Sequence, residues 1–177
     1  MGKQYKILST QDIEFIKSQK LFYLASSSGS EVNLSPKGYD SIRVLNKSTL
    51  LFMNYPGSGN RTTRDAQKDG EFTLVFNAFS GSAKILRLFC KATLINPEHT
   101  KFLEYVKNFG LKETQVRDFF EFNIYAVESS CGMSVPVMEY KEERNELRNW
   151  VKSMDKKGKL EEYKDAHFTP PALEDLT

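Results

Sequence analysis

Cysteine is scarce in this chain of 177 residues: Cys90 and Cys131 are the only two. Two widely spaced thiols make neither a zinc pattern nor a redox dithiol, so a metal site is not expected and both are read as buried, reduced side chains. Charge of one sign is also lacking. The formal net charge is +2, too small for the dense basic face of a nucleic-acid binder. No apolar run approaches the ~20 residues of a membrane span. The opening MGKQYKILST lacks the apolar stretch of a secretory signal, so a cytoplasmic protein with no membrane partner is expected. Repeats and low-complexity tracts are missing too.

What is present is ordinary for a globular protein and rich in aromatics. Hydrophobic residues make up 40% and charged residues 27%, with 13 phenylalanines and 8 tyrosines to fill an interior. Ser9 followed by Asp12 is a capping pattern ahead of Ile13 and Ile16, predicting a helix over about 11–19. From Leu21 the period changes to that of strands. Segments 21–27, 31–35, 41–46 and 49–54 are separated by Ser28-Gly29-Ser30, Gly38-Tyr39-Asp40 and Asn46-Lys47-Ser48, which reads as an antiparallel meander.

A polar loop from Tyr55 then enters a short helix that Gly70 is placed to stop. Segments 71–79 and 84–96 flank Ser80-Gly81-Ser82 as a hairpin. Asn96-Pro97 reads as a helix start, with Leu103, Val106 and Phe109 as its buried stripe and Gly110 as its end. A strand over 119–129 turns Phe120, Phe122, Ile124 and Ala126 to one face. Its aromatic part, Phe119–Tyr125, carries more apolar surface than one small barrel face needs, which favours a homodimer. From Glu142 the chain is charged and helical, with Leu147, Trp150, Val151 and Met154, and it closes on Thr169-Pro170-Pro171. The fold class expected is mainly β or α+β: a six- to seven-stranded antiparallel split barrel with flanking helices. Residues 1–140 would form the barrel domain and 141–177 a helical extension packing on it or on a partner subunit.

The stretch NYPGSGNRTTR at 54–64 carries the most chemistry. Gly57 and Gly59 allow close backbone approach, Ser58, Asn60, Thr62 and Thr63 offer short donors, and Arg61 and Arg64 add positive forks. Read locally, this is either a phosphate-holding loop or a polar turn capping a helix. It is not a Walker loop, because no Gly-Lys-Ser/Thr closes it. Arg43 lies between Ile42 and Val44 and should face the opposite side from both. Pointing inward it needs an anion; pointing outward it is an ordinary solvated residue. Arg87 is read as pairing with an acid such as Glu71 in preference to a ligand, His99 as a surface residue, and Trp150 as packing.

The segments NLSPKG at 33–38, the arginine in Ile42–Leu45, GSGNRT at 57–62 and ILRLFCKA at 85–92 occur in the order found in one family. From Leu21 to about Tyr140 the chain resembles the FMN-binding split barrels related to pyridoxamine 5′-phosphate oxidase. CGMSVPVMEY at 131–140 and the following helix resemble the C-terminal part of one branch of it. The resemblance implies FMN as cofactor, held at its phosphate by Arg43, Ser58, Asn60 and Arg61, with Thr62 beside them. It implies Ser35 and Lys37 at the ring and ribitol, Lys37 placing a positive charge near the ring. It further implies two sites per homodimer and an FMN-dependent oxidoreductase acting with a small-molecule substrate or electron donor. The alternatives are a flavin sensor, carrier or store without turnover, and a deazaflavin- or haem-binding relative; haem would want an axial histidine, and residues 21–96 contain none. Two departures separate the chain from the oxidase itself. The oxidase loop has a Ser-Arg-Lys run where this chain has Ser58-Gly59-Asn60-Arg61, and no Arg-x-His pair precedes the C-terminus. Pyridoxamine phosphate oxidation is therefore not implied, and no catalytic residue is assigned.

Overall fold

A computed structural model describes residues 2–29, 31–170 and 173. Ser30 of the expected Ser28–Ser30 turn and Pro171 of the closing segment lie outside the described residues. The strands are β1 (Lys3–Tyr5), β2 (Phe22–Ser27), β3 (Asn33–Lys37), β4 (Ile42–Asn46), β5 (Thr49–Asn54), β6 (Glu71–Asn77), β7 (Ile85–Ile95) and β8 (Asp118–Ser130). The helices are α1 (Thr10–Ser18), α2 (Arg61–Gln67), α3 (Phe102–Asn108), α4 (Glu146–Lys156) and α5 (Leu160–Ala166). Every strand pair is antiparallel, in the order β3-β2-β6-β7-β8-β5-β4, with β1 beside the far end of β8. Curled on itself, this sheet is the expected split barrel with flanking helices.

The meander is corrected. β2–β3 and β4–β5 are hairpin pairs, yet β3 and β4 stand at opposite ends of the strand order. The second edge of β2 is taken by β6, and that of β5 by β8. Tyr39 and Asp40 both adopt positive φ (65° and 52°), making a corner that carries the chain across the split. Ser41 holds the corner by donating its hydroxyl to the Gly38 carbonyl at 2.6 Å.

Alternation along β2 buries Phe22, Leu24 and Ser26. Phe52, Phe72, Phe76, Phe120 and Phe122 join them in the barrel interior, where the Phe22 and Phe76 rings stack at 5.4 Å. Truncating one such ring typically costs about 3–5 kcal/mol. A second cluster on the outer face joins Leu51, Met53 and Phe119 to Phe102, Tyr105 and Val106 of α3. The register of β7 against β8 slips between Phe89 and Cys90, so Tyr125 is left unopposed. This bulge shifts the inward face after Ile124 from the expected Ala126 to Val127. Phe119 is covered by α3 and its phenylalanine neighbours lie inside the barrel, while Tyr125 of β8 stays exposed.

Other boundaries moved for local reasons. Asn96–Lys101 forms turns, with the His99 amide on the Asn96 carbonyl, and α3 begins only at Phe102. Its buried phase is therefore Phe102, Tyr105 and Val106, and Leu103 is exposed. After α2 the left-handed residue is Asp69 (φ 52°), not Gly70. Gly70 is needed for space, because a Cβ there would lie 2.6 Å from the Ser27 carbonyl oxygen. Cys90 is buried as expected, whereas Cys131 is exposed. The C-terminal helix starts at Glu146 and breaks at Gly158 (φ 66°) into α4 and α5. Asp155 of α4 accepts from Thr114 and Gln115 of the 3-10 turn before β8, docking this region against the barrel. Among the described residues no helix is long and apolar enough to cross a membrane.

Candidate functional site

A cavity of about 710 Å³ opens where β3, the end of β5, the glycine loop and the C-terminal segment meet. That volume falls in the range of about 300–1,000 Å³ usual for small-molecule and cofactor sites. The alternation of β3 turns Asn33, Ser35 and Lys37 inward and leaves Leu34 and Pro36 exposed. Ser35 and Lys37 both line the cavity, as do Ser58, Arg61 and Thr62. Five residues scattered over 28 positions of chain thus converge on one wall system. Phe52, Met53 and Tyr55 supply an apolar side to the same space.

Asn60 and Arg43 are placed elsewhere. Asn60 is buried, donates its amide to the Phe168 carbonyl, and leaves its Oδ1 without a partner among the described residues. Arg43 faces away from Ile42 and Val44, on the outer side. Its Nη1 meets the carbonyl and the carboxylate of Asp40, each at 2.8 Å, and its guanidinium lies 4.5 Å from the Phe109 ring. It lines two other cavities and not this one.

The rim by α2 is a charge network. Arg61 and Arg64 both meet the Glu31 carboxylate, and Arg64 also pairs with Asp65 at 2.8 Å. The hydrogen bond from Arg64 is the main reason the Glu31 carboxyl titrates below its usual range. Asp65 is buried and accepts from Ser26 and Ser28. Burial pushes its pKa up, but these donors and Arg64 together hold it below normal.

Behind the cavity lies a layer that sequence reasoning missed. Asp118, 4% exposed, accepts from Asn54 and Thr63 at 2.9 Å each. Neither donor is charged, so burial wins and pushes its pKa up to about 6. Arg117 is 6% exposed and donates to the carbonyls of Gly57 (2.7 Å) and His167 (3.3 Å), while its Nε has no partner among the described residues. Burial pulls its pKa down and the charge of Asp118 pulls it back. The same two influences act in the same directions on Lys37, whose Nζ lies 5.8 Å from the Phe52 ring. Two cations thus stand at the glycine loop and the cavity wall without an ion pair among the described residues. A buried positive charge of this kind is stabilised by an anion in the adjoining space.

His167 and Pro170 bring the C-terminal segment to the cavity. His167 Nδ1 lies 2.9 Å from the Tyr163 carbonyl, placed to donate to it. Its ring stacks on Tyr163 at 4.0 Å, and Tyr163 meets Trp150 edge-on at 4.6 Å. Trp150 therefore packs, as expected. Arg87 also pairs with an acid, but with its cross-strand neighbour Glu128 at 3.1 Å; Glu71 is held by Lys91 and Tyr125 instead. His99 is half-buried in the turn before α3.

No family model matches the chain. Among curated proteins, the pyridoxamine 5′-phosphate oxidase family protein ustO of Aspergillus flavus is 31% identical over 166 residues, covering 90% of this chain and 67% of that protein. Solved structures share the fold. A Lactobacillus delbrueckii protein provisionally named a pyridoxamine 5′-phosphate oxidase matches with a TM-score of 0.55 at 18% identity, covering 70% of this chain and 98% of its own. HupZ of Group A Streptococcus matches with a TM-score of 0.54 at 14% identity, over 68% and 92% of the two chains.

Proposed function

Because the chain belongs to the pyridoxamine 5′-phosphate oxidase family, whose members generally bind flavin, we propose that the 710 Å³ cavity holds FMN and that the protein is an FMN-dependent oxidoreductase. The observation that carries this reading is the division of the cavity wall. One side is apolar (Phe52, Met53, Tyr55), suited to a planar ring system. The other gathers Ser58, Arg61 and Thr62, with the buried Arg117 behind them donating to the Gly57 carbonyl, a set suited to a dianionic phosphate. The donor set thus fits the group.

Ser58, Arg61 and Thr62 would hold the phosphate, and Ser35 and Lys37 the ring and ribitol side. When bound, FMN supplies the electron-transfer chemistry; the protein binds, orients and shields it. Lys37 sets its ammonium group near the Phe52 ring, and His167 brings its imidazole to the cavity's C-terminal side. A second subunit would complete the site. The exposed apolar side chains Val32 and Leu34 by the β3 edge, and Met133 and Val137 after β8, support that arrangement. Sedimentation at micromolar concentration tests it, and a monomer that keeps its flavin would rule it out.

The test of the cofactor reading is a fluorescence titration with FMN and with riboflavin, which lacks the phosphate, at one salt concentration. FMN should bind at least ~10-fold tighter, since one charged hydrogen bond is worth about 1.5–3 kcal/mol. Arg61→Ala should remove most of that advantage and leave riboflavin nearly unchanged. Failure of both ligands to bind at micromolar concentration, or equal affinity for the two, would refute the reading.

A further inference from the structure

A second cavity, of about 320 Å³, adjoins the first and shares Tyr39, Met53 and Tyr55 with it. Its chemistry differs from that of its neighbour. Arg43, Arg148 and Lys152 face it, and Asp40 is the one carboxylate among its described lining residues. Asp40 is already engaged by Arg43 at 2.8 Å. Arg148 is half-buried, its guanidinium 4.4 Å from the Tyr39 ring, and it donates Nη2 to the Tyr39 carbonyl at 2.8 Å. Lys152 lies one helical turn further along α4, on the same face. Neither Arg148 nor Lys152 has a carboxylate within ion-pair distance among the described residues.

A structural role for Arg148 is real, since it fastens α4 to the corner at Tyr39. That role uses one of five N–H donors and leaves the charge uncompensated. Subtracting Asp40 from the three cations leaves an excess of two positive charges on a small aromatic pocket. Phe109, Leu111 and Val151 give the wall an apolar part, beside Gln115, whose amide already donates to Asp155. Such a site lacks only an anion with an apolar body. A guanidinium fork meets the two coplanar oxygens of a carboxylate, and the volume suits a fragment of one ring rather than a nucleotide.

We propose that this second cavity binds the carboxylate end of the protein's substrate, which is an organic acid with an aromatic or branched apolar body. Arg148 and Lys152 grip the carboxylate, Tyr39 and Phe109 pack the body, and the edge-on pair Tyr39–Tyr55 (5.7 Å) lies where the two cavities meet. That the acid is a substrate rests on the flavin reading above; that the cavity takes a carboxylate does not.

The experiment is isothermal titration of the purified full chain with benzoate and with benzyl alcohol, its neutral counterpart, alongside an FMN titration. Benzoate should bind at least ~10-fold tighter than the alcohol, the low end for a charged hydrogen bond. Arg148→Met should abolish the difference while leaving FMN affinity unchanged. Equal binding of acid and alcohol by the wild-type protein overturns the proposal without any variant, so a folding defect in Arg148→Met cannot rescue it. Absence of saturable benzoate binding at millimolar concentration overturns it too. If Arg148→Met weakens FMN as much as benzoate, the anion sits in the first cavity and the separate site is refuted. Benzoate binding that depends on Arg148, in a chain that binds no flavin, would sink the flavin reading and its substrate assignment while keeping the carboxylate site.

Discussion

Two aspartates, Asp12 and Asp118, are equally buried, at 3% and 4% exposure, but the chain treats them in opposite ways. Asp12 sits where α1 meets the β6–β7 hairpin. It accepts from the Tyr5 hydroxyl (2.8 Å) and from the amide and hydroxyl of Ser9 (3.0 and 2.7 Å), and it pairs with Lys84 at 2.8 Å. Burial alone would raise its pKa; the bonds from Lys84, Ser9 and Tyr5 together overcome that and bring it to about 2. Among the described residues Asp118 has two neutral donors and no ion pair, and its pKa goes up to about 6. The Asp12 cluster is saturated, so nothing remains for a ligand to satisfy. The layer of Asp118, Arg117 and Lys37 is left electrically unfinished beside the larger cavity. A fold tolerates uncompensated buried charge at few places, and functional sites are the usual ones.

The largest expected effects come from inverting this pair. Asp12→Ala strands Lys84, Tyr5 and the N-cap of α1 at once, and should cost about 3 kcal/mol of unfolding free energy at pH 7. Asp118→Asn should do the reverse at pH 8. A rise of about two pKa units opposes folding by on the order of 3 kcal/mol once the carboxyl ionises. Weakening one hydrogen bond gives back about 1 kcal/mol, leaving a net gain of about 1–2 kcal/mol. The pH dependence follows from the same shifts. Asp12 is more acidic folded than unfolded, so its contribution is present above about pH 4 and fades as the pH falls toward 2. Asp118 is less acidic folded, so its contribution is full below about pH 4 and is lost as the pH rises through 6. The Asp118→Asn gain should therefore vanish in urea melts at pH 4. Destabilisation at pH 8 would mean that the Asp118 charge holds its surroundings together, and the contrast between the two aspartates would collapse.

The same contrast explains what could be read in the sequence. The Ser9–Asp12 box is local, four residues whose partners are mostly each other, and it was legible letter by letter. So was the hairpin around Gly81, whose φ of 73° demands a residue like glycine. Ser35, Lys37, Ser58, Arg61 and Thr62 converge through long-range pairing, and only their shared order with a known family pointed to one site. Arg117 and Asp118 carried no signal of that kind. They precede a run of phenylalanines and read as a polar strand end, because what makes them unusual is burial beneath the Gly57 loop. The placement of β3 and β4 at opposite edges, and of His167 at the cavity, depended on contacts across more than a hundred residues or on which strand edges were already taken. Neither leaves a periodic trace.

The smallest expected effect is at Arg43, where the family resemblance pointed to the phosphate and the structure points away from it. Its Nη1 is shared among the Asp40 carbonyl, the Asp40 carboxylate and the Ile42 carbonyl, at 2.8–2.9 Å. The rest of the fork lies over Phe109, and the larger cavity is lined without it. Arg43→Ala should therefore change FMN affinity by no more than about twofold, the size of a screened, distant charge. It should cost less than about 1 kcal/mol of stability, because the Asp40 pair is largely solvated. Arg61→Ala, measured beside it, should lose about tenfold on FMN. The reading of the two cavities predicts one more difference: Arg43→Ala should weaken benzoate more than it weakens FMN, since Arg43 faces the smaller cavity. If Arg43→Ala instead loses tenfold on FMN and nothing on riboflavin, the phosphate reaches Arg43. Asp40 must then release the guanidinium when the cofactor binds, and the boundary drawn at Tyr39 and Tyr55 between a flavin cavity and a carboxylate cavity would have to be withdrawn.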